Sequence, residues 1–190
     1  MVKESDIHLV EMILAGNRDS FSLLVDRYKD MVFTLSVGLL QNREEAEEVA
    51  QDAFLKVFKA LPKFKQKAKF STWMYRIVYN ECISRLRRKK AKLVSIEDVS
   101  YQELPDDFEE NNPEWVQKEV REKTLKEALQ DLPEQDKTIV LLYYYENCQV
   151  EDISKILDLS PSNVKTKLFR TRKKLYTILV GAKKKELIDY

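Results

Sequence analysis

Residues 149–175 read QVEDISKILDLSPSNVKTKLFRTRKKL, and this stretch decides the fold. Val150, Ile153, Ile156 and Leu157 recur at helical spacing, so its first part is a short amphipathic helix. Asp158, Leu159 and Ser160 make a turn. Ser160 can cap the following helix, and Pro161 suits its first position, where no backbone N–H is needed. Val164, Leu168, Leu175 and Leu179 form the buried seam of that second helix. Ser162, Asn163, Lys165, Thr166, Lys167, Arg170, Arg172, Lys173 and Lys174 lie largely off the seam, with no acid among them. A helix-turn-helix whose second helix shows a bare cationic face is how a recognition helix for the DNA major groove is built. A lysine-rich solvated helix shares these features, so the kind of DNA-binding protein must come from the rest of the chain.

Working outward, the 190 residues suit one ordinary domain or two small ones. With three glycines, five prolines and apolar residues at helical rather than alternating spacing, the expectation is all-α. No apolar run approaches the roughly 20 residues needed to cross a bilayer, and no signal-peptide core opens the chain. A cytoplasmic location is expected. Cys82 and Cys148 sit among apolar residues in helical patterns and are expected to be buried, reduced thiols. The net charge of +1 hides a segregation: residues 1–93 carry a net +6, residues 94–124 a net −7 and residues 125–190 a net +2. Two basic blocks flank an acidic connector, and the nucleic-acid signal lies in those local patches.

Ser5 is placed to cap a first helix with Ile7, Val10 and Leu14 inward, ended by Gly16. A long second helix has Phe21, Leu24, Val25, Tyr28, Val32, Leu35 and Leu39 as its seam. Asn42 precedes a third helix with an acid-rich opening turn, which suits the positive end of the helix dipole; Leu61-Pro62 stops it. A basic loop, KFKQKAKF at 63–70, leads to a fourth helix that Ser71 is expected to cap and that runs from about 72 to 90. Its end is strongly cationic. Periodicity then fails from about 94 to 113 and acids dominate. The expected organisation is therefore two small helical domains, 1–93 and 113–190, joined by an acidic linker over 94–112. Helices in the second domain are expected at roughly 113–131, 133–146, 150–157 and 161–180.

Catalysis finds no support in the residues. There is no phosphate-binding glycine loop and no nucleophile elbow, and His8 with two distant cysteines cannot build an obvious zinc site, so no metal or cofactor is expected. His8 is expected at the surface. The second positive signal is the block at 63–90. Lys63, Lys65, Lys67 and Lys69 alternate with Phe64 and Phe70, and Trp73, Tyr75 and Tyr79 follow. Cations that track a backbone beside aromatics that stack on bases are the ingredients of single-strand recognition. Trp73 shares a face with Ile77 and Glu81 and suits a core role equally well, and Phe70 is open in the same way.

Three blocks in order resemble one family. REEAEEVAQDAFLKVFKAL (43–61), FSTWMYRIVYNECISRLRRKK (70–90) and LPEQDKTIVLLYYY with the helix pair at 150–175 look like the extracytoplasmic-function (sigma-70 group IV) sigma factors of bacteria. The resemblance implies a sigma-two-like and a sigma-four-like domain and an alternative sigma factor that binds core RNA polymerase and promoter DNA. A separate anti-sigma factor is the usual further partner. It implies that Gln51, Asp52, Leu55, Lys56, Phe58 and Lys59 meet the polymerase. It implies that Lys63, Lys65, Lys67, Lys69, Phe70, Trp73, Arg76, Asn80, Arg87 and Arg88 melt and read the minus-ten element. Asn80 matches a pocket position used by some members for a base flipped from the non-template strand; its donors and acceptor suit a base edge. Flipping costs a few kcal/mol, stacking returns about 1–3 kcal/mol per base, and cation–phosphate contacts supply the rest. Ser162, Asn163, Lys165, Thr166, Phe169, Arg170, Arg172 and Lys173 would read the minus-thirty-five duplex, with Arg172 and Lys173 on phosphates. Phe169 suits either a thymine methyl or the core margin. The family often has arginine where Lys165 and Lys167 stand, so the promoter sequence does not carry over. A free-standing helix-turn-helix regulator, with residues 1–93 as a sensory or dimerisation domain, is the competing reading.

Overall fold

A computed structural model describes residues 5–93, 128–129 and 131–186. Among the described residues every regular element is helical: α1 (Asp6–Leu14), α2 (Ser20–Leu40), α3 (Arg43–Ala60), a 3₁₀ turn (Leu61–Lys63), α4 (Phe70–Leu93), α5 (Glu134–Val140) running into a π-helical turn (Leu141–Tyr145), α6 (Val150–Leu157) and α7 (Pro161–Glu186). The acidic linker and most of the helix expected at 113–131 fall outside the described residues.

Ser5 caps α1 by accepting a hydrogen bond from the His8 amide at 3.2 Å, and His8 itself is exposed. The inward face differs from the expectation. Leu9, Val10 and Ile13 are buried, while Ile7 and Leu14 face out. Both triplets obey helical spacing; the choice is made by Asp6, which lies on the Leu9–Val10–Ile13 side. Its carboxylate accepts from the Arg27 guanidinium and the Tyr28 hydroxyl, each at 2.5 Å. Such charge-assisted bonds, to partly buried partners, fix the rotation of α1 on α2. Burial and that carboxylate together push the Tyr28 phenol up, so it stays a donor.

α2 buries Leu24, Tyr28, Val32, Leu35 and Leu39 as expected, and ends where Gln41 turns left-handed. Asn42 caps α3 through its side-chain oxygen, 2.9 Å from the Glu45 amide. The inner face of α3 is Ala46, Val49, Ala53 and Val57, small enough for close approach to α2. The fourth helix begins earlier than expected. Phe70 is its first residue and the Trp73 amide already bonds back to the Lys69 carbonyl, so Ser71 lies inside the first turn and is not its cap.

One apolar cluster runs through the molecule. Leu35, Leu39, Met74 and Val78 from the N-terminal helices share it with Leu142, Ile153 and Ile156 from the C-terminal ones. α6 packs on α4, and α5 packs against both α2 and α7. Gly38 sits where α2 meets the π-helical turn. A Cβ on it would stand 2.5 Å from a Leu141 methyl, well inside contact distance. Both cysteines are free thiols. Cys82 is buried, as expected; Cys148 is only partly covered and lies in the loop before α6, not in a helix. Burial pushes each thiol up to about 11.

Candidate nucleic-acid interface

Three surfaces carry the expected residues. On α3, Gln51, Asp52, Leu55, Lys56, Phe58 and Lys59 are all exposed, and Leu55 is 58% exposed. Phe58 packs edge-on against Phe21 at 4.9 Å, which holds its ring at the α2–α3 margin. Lys56 pairs with Glu81 of α4 at 2.5 Å. The result is an apolar spot with a charged rim.

The second surface spans the loop after α3 and the outer side of α4. Lys63, Lys65 and Lys67 are exposed along that loop, which bends at Gln66 through a left-handed φ of 54°. Phe70 is a correction. It is 2% exposed and packs with Tyr28, Phe64 and Trp73, so it belongs to the core and cannot stack on a base in this fold. Its place at the very start of α4 points it inward against α2. Trp73 is half-buried, tilted on Phe64 at 5.0 Å, and takes part in both the core and the surface. Arg76, Asn80, Arg87 and Arg88 are exposed along the helix.

Helix α4 also carries residues whose role the sequence did not disclose. Thr72 and Tyr75 are buried and face the C-terminal helices. Thr72 donates its hydroxyl to Asp152 of α6 at 3.2 Å, and Lys69 donates to the same carboxylate at 2.8 Å. The Tyr75 hydroxyl donates to Glu146 at 2.7 Å. Burial, followed by that bond to a carboxylate, drives the Tyr75 phenol strongly upward. Arg76 donates to the Lys155 carbonyl at 3.3 Å and stands 4.0 Å from Asp158. Two residues expected on the minus-ten element, Lys69 and Arg76, are thus engaged by the opposite half of the chain.

The third surface is α7. Asp158 adopts the left-handed conformation that ends α6, and Ser160 accepts from the Asn163 amide at 3.1 Å, so the turn and cap form as expected. Val164, Leu168, Thr171 and Leu175 are buried. Ser162, Asn163, Lys165, Thr166, Phe169 and Arg170 are exposed. Phe169 is 56% exposed, so it stands clear of the core, with the Lys173 ammonium 4.9 Å from its ring centre. The flanks of the helix are tied back. Lys167 pairs with Asp136 at 2.9 Å, and Lys174 donates to the Asp131 carbonyl at 3.0 Å. Arg172 leans over Tyr143 and Tyr144 and donates to the Tyr144 hydroxyl. It borders an apolar cleft of about 480 Å³ that Leu129, Val140 and Leu175 help to line. Arg172 therefore sits at the edge of the exposed face and not at its centre.

Among the described residues no group of three or more His, Cys, Asp or Glu side chains is arranged to hold a metal ion, and no helix is long and apolar enough to cross a membrane.

The profile of Sigma-70 region 2 matches residues 24–92, and that of Sigma-70, region 4, matches residues 122–175. The RNA polymerase sigma-H factor of Pseudomonas aeruginosa is 32% identical over 179 residues, spanning 90% of this chain and 92% of that protein. The ECF RNA polymerase sigma factor SigW of Bacillus subtilis is 31% identical over 173 residues, 87% of this chain and 92% of SigW. The sigma factor RpoE of Bartonella quintana, solved in complex with the anti-sigma factor NepR, shares the fold. Its TM-score is 0.67 at 18% identity, over 84% of this chain and 96% of that one. A match at 24–92 removes the basis for treating the N-terminal helices as the sensory part of a free-standing regulator. The chain belongs to the extracytoplasmic-function group of the sigma-70 family, the alternative sigma factors of RNA polymerase.

Proposed function

We propose that this sigma factor reads promoters in two parts while bound to core RNA polymerase, and so directs transcription initiation. Residues 1–93 form the part that binds polymerase and opens the minus-ten element. Residues 113–190 form the part that grips the minus-thirty-five duplex through a helix-turn-helix, and 94–112 is the tether.

The observation that carries this reading is the outward face of α7. From Ser162 to Arg170 its exposed positions are polar, cationic or aromatic, with no carboxylate among them. Lys165, Thr166 and Arg170 are the base-reading candidates, Phe169 suits a thymine methyl, and Ser162, Asn163, Arg172 and Lys173 suit the phosphates on either side. On α4, Asn80 is placed in water beside Arg76 and Arg87, as a reader of an extruded base must be. Lys63, Lys65, Lys67 and Lys69 with Arg88 supply the phosphate contacts, and Trp73 the stacking surface. Gln51, Asp52, Leu55, Lys56, Phe58 and Lys59 supply the polymerase contact. The work is binding, not bond making, and it belongs in the cytoplasm. An anti-sigma factor is the expected regulator, as it is the partner in the RpoE structure.

The test is transcription from a promoter library by purified core polymerase with and without this chain. Initiation should appear at a restricted set of promoters sharing two spaced elements. A library with no chain-dependent starts would overturn the reading.

A further inference from the structure

We propose that Tyr144 is a DNA contact: its hydroxyl and the Arg172 guanidinium form one composite clamp for a single backbone phosphate. The proposal rests on the reading that α7 grips duplex DNA, and adds to it a residue from outside the helix-turn-helix.

The clamp is built on the π-helical turn. Leu141 and Leu142 are buried and anchor it, while Tyr143 is half-buried and Tyr144 is 48% exposed. The two rings stand edge to face at 5.0 Å. The Arg172 guanidinium lies against both, 5.7 and 5.5 Å from their centres, and its Nε donates to the Tyr144 hydroxyl oxygen. Donor counting then shows what is left over. Arginine has donors only, so the Tyr144 oxygen accepts and its own hydrogen points elsewhere. Among the described residues no acceptor takes that hydrogen, and no carboxylate pairs with Arg172. A neutral O–H and the two Nη groups therefore sit side by side on exposed residues.

The neighbouring cations are held differently. Lys167 pairs with the Asp136 carboxylate and Lys174 donates to the Asp131 carbonyl. An acid would cancel the charge it fixes; two tyrosines fix the Arg172 fork and leave its charge intact, so little ordering remains to be done on binding. Place along the helix identifies the anion. Lys165, Phe169 and Arg172 share one stripe of α7, and Arg172 lies about 10 Å along the axis beyond Lys165. The first turns of a recognition helix reach base edges, and its later turns meet the backbone. An arginine fork with a hydroxyl beside it suits a phosphodiester there, whose oxygens accept several bonds.

The test is binding of the full chain to a fluorescein-labelled pool of random duplexes, followed by anisotropy across a salt series, since a phosphate contact acts on every sequence alike. Arg172→Ala should flatten the slope of log affinity against log salt by about 0.9, the share of one neutralised phosphate. Arg172→Lys should restore the slope, a readout that a purely structural role would not move. Tyr144→Phe keeps the ring and the charge and deletes only the hydroxyl, so it should weaken binding about fivefold with the slope unchanged. Made in the Arg172→Ala background, the same change should cost less than about twofold, because the two groups share one phosphate. Parent-like binding by Tyr144→Phe overturns the clamp, as does an unchanged slope for Arg172→Ala or an equal cost of Tyr144→Phe in both backgrounds. Lys165→Ala combined with Arg170→Ala separates this from the reading beneath it. If that pair weakens binding while Tyr144→Phe and Arg172→Ala do nothing, α7 still grips duplex and only the clamp falls. If none of these changes matters, the reading of α7 falls with it.

Discussion

Leu55 offers the sharpest test of how this chain holds polymerase. Its side chain is 58% exposed at the middle of the outer face of α3, between Asp52 and Lys59 and beside Phe58. Fully burying an exposed leucine is worth about 1.5–3 kcal/mol. Rather more than half of that gain is still available, so docking against a partner helix should recover about 1–2 kcal/mol. Leu55→Ala forfeits most of this, which corresponds to a roughly 5- to 30-fold weaker complex with core polymerase. The free chain has little to lose, because the deleted carbons already face water, and its stability should move by less than about 0.5 kcal/mol. The assay is therefore paired: binding to immobilised core polymerase by interferometry, and thermal unfolding of the free chain by circular dichroism. Weaker binding at constant melting temperature is the expected outcome. Unchanged polymerase affinity would refute the assignment of this face. A drop in both would show that Leu55 supports the fold in a way its exposure does not suggest.

Two more substitutions follow. Asn80→Ala replaces an exposed helix residue by the best helix former, so the fold should be untouched while discrimination falls at one minus-ten position; competition between single-base promoter variants measures this, and an equal loss at the minus-thirty-five element would count against it. Phe70→Ala should cost about 3–5 kcal/mol of stability, as for other buried aromatics; a variant that melts like the parent yet fails to open promoters would return Phe70 to the DNA-contact set.

The sequence disclosed what local chemistry decides. Ser5 and Ser160 are caps because each precedes a helical run with a side-chain oxygen free to meet an orphan amide, and both accept such a bond. The outward and inward faces of α3 and α7 were legible because charged and apolar residues there separate cleanly around the helix. Elsewhere the pattern was degenerate. Ile7-Val10-Leu14 and Leu9-Val10-Ile13 are equally periodic, and only the bond network of Asp6 with α2 selects the second. Phe70 looked like a stacking residue because it closes a lysine-rich loop, but the helix starts on it and turns its ring inward. The least legible feature was tertiary. Asp152 reads as an ordinary acid in a first helical turn, and Gly38 as a weak point in a long helix. Each acquires a meaning only when α6 is laid on α4, and no local pattern specifies that packing.

The three surfaces differ from one another in the way their expected partners differ. The outer face of α3 combines exposed Leu55 and Phe58 with charged neighbours, an apolar centre and a polar rim suited to another protein. The face of α7 has no exposed aliphatic side chain between Ser162 and Arg170, and its cations lie beside hydroxyl and amide groups, as suits a wet, sequence-reading contact with duplex. The α4 region mixes lysines and arginines with a half-exposed tryptophan, the composition that holds single strands by phosphate contact and stacking. A single-purpose duplex binder would need the second surface alone. A chain that must sit on polymerase, grip duplex and hold an opened strand needs all three, at separations that a tether lets polymerase set. Each site can then be weak, because occupying one raises the effective concentration at the next.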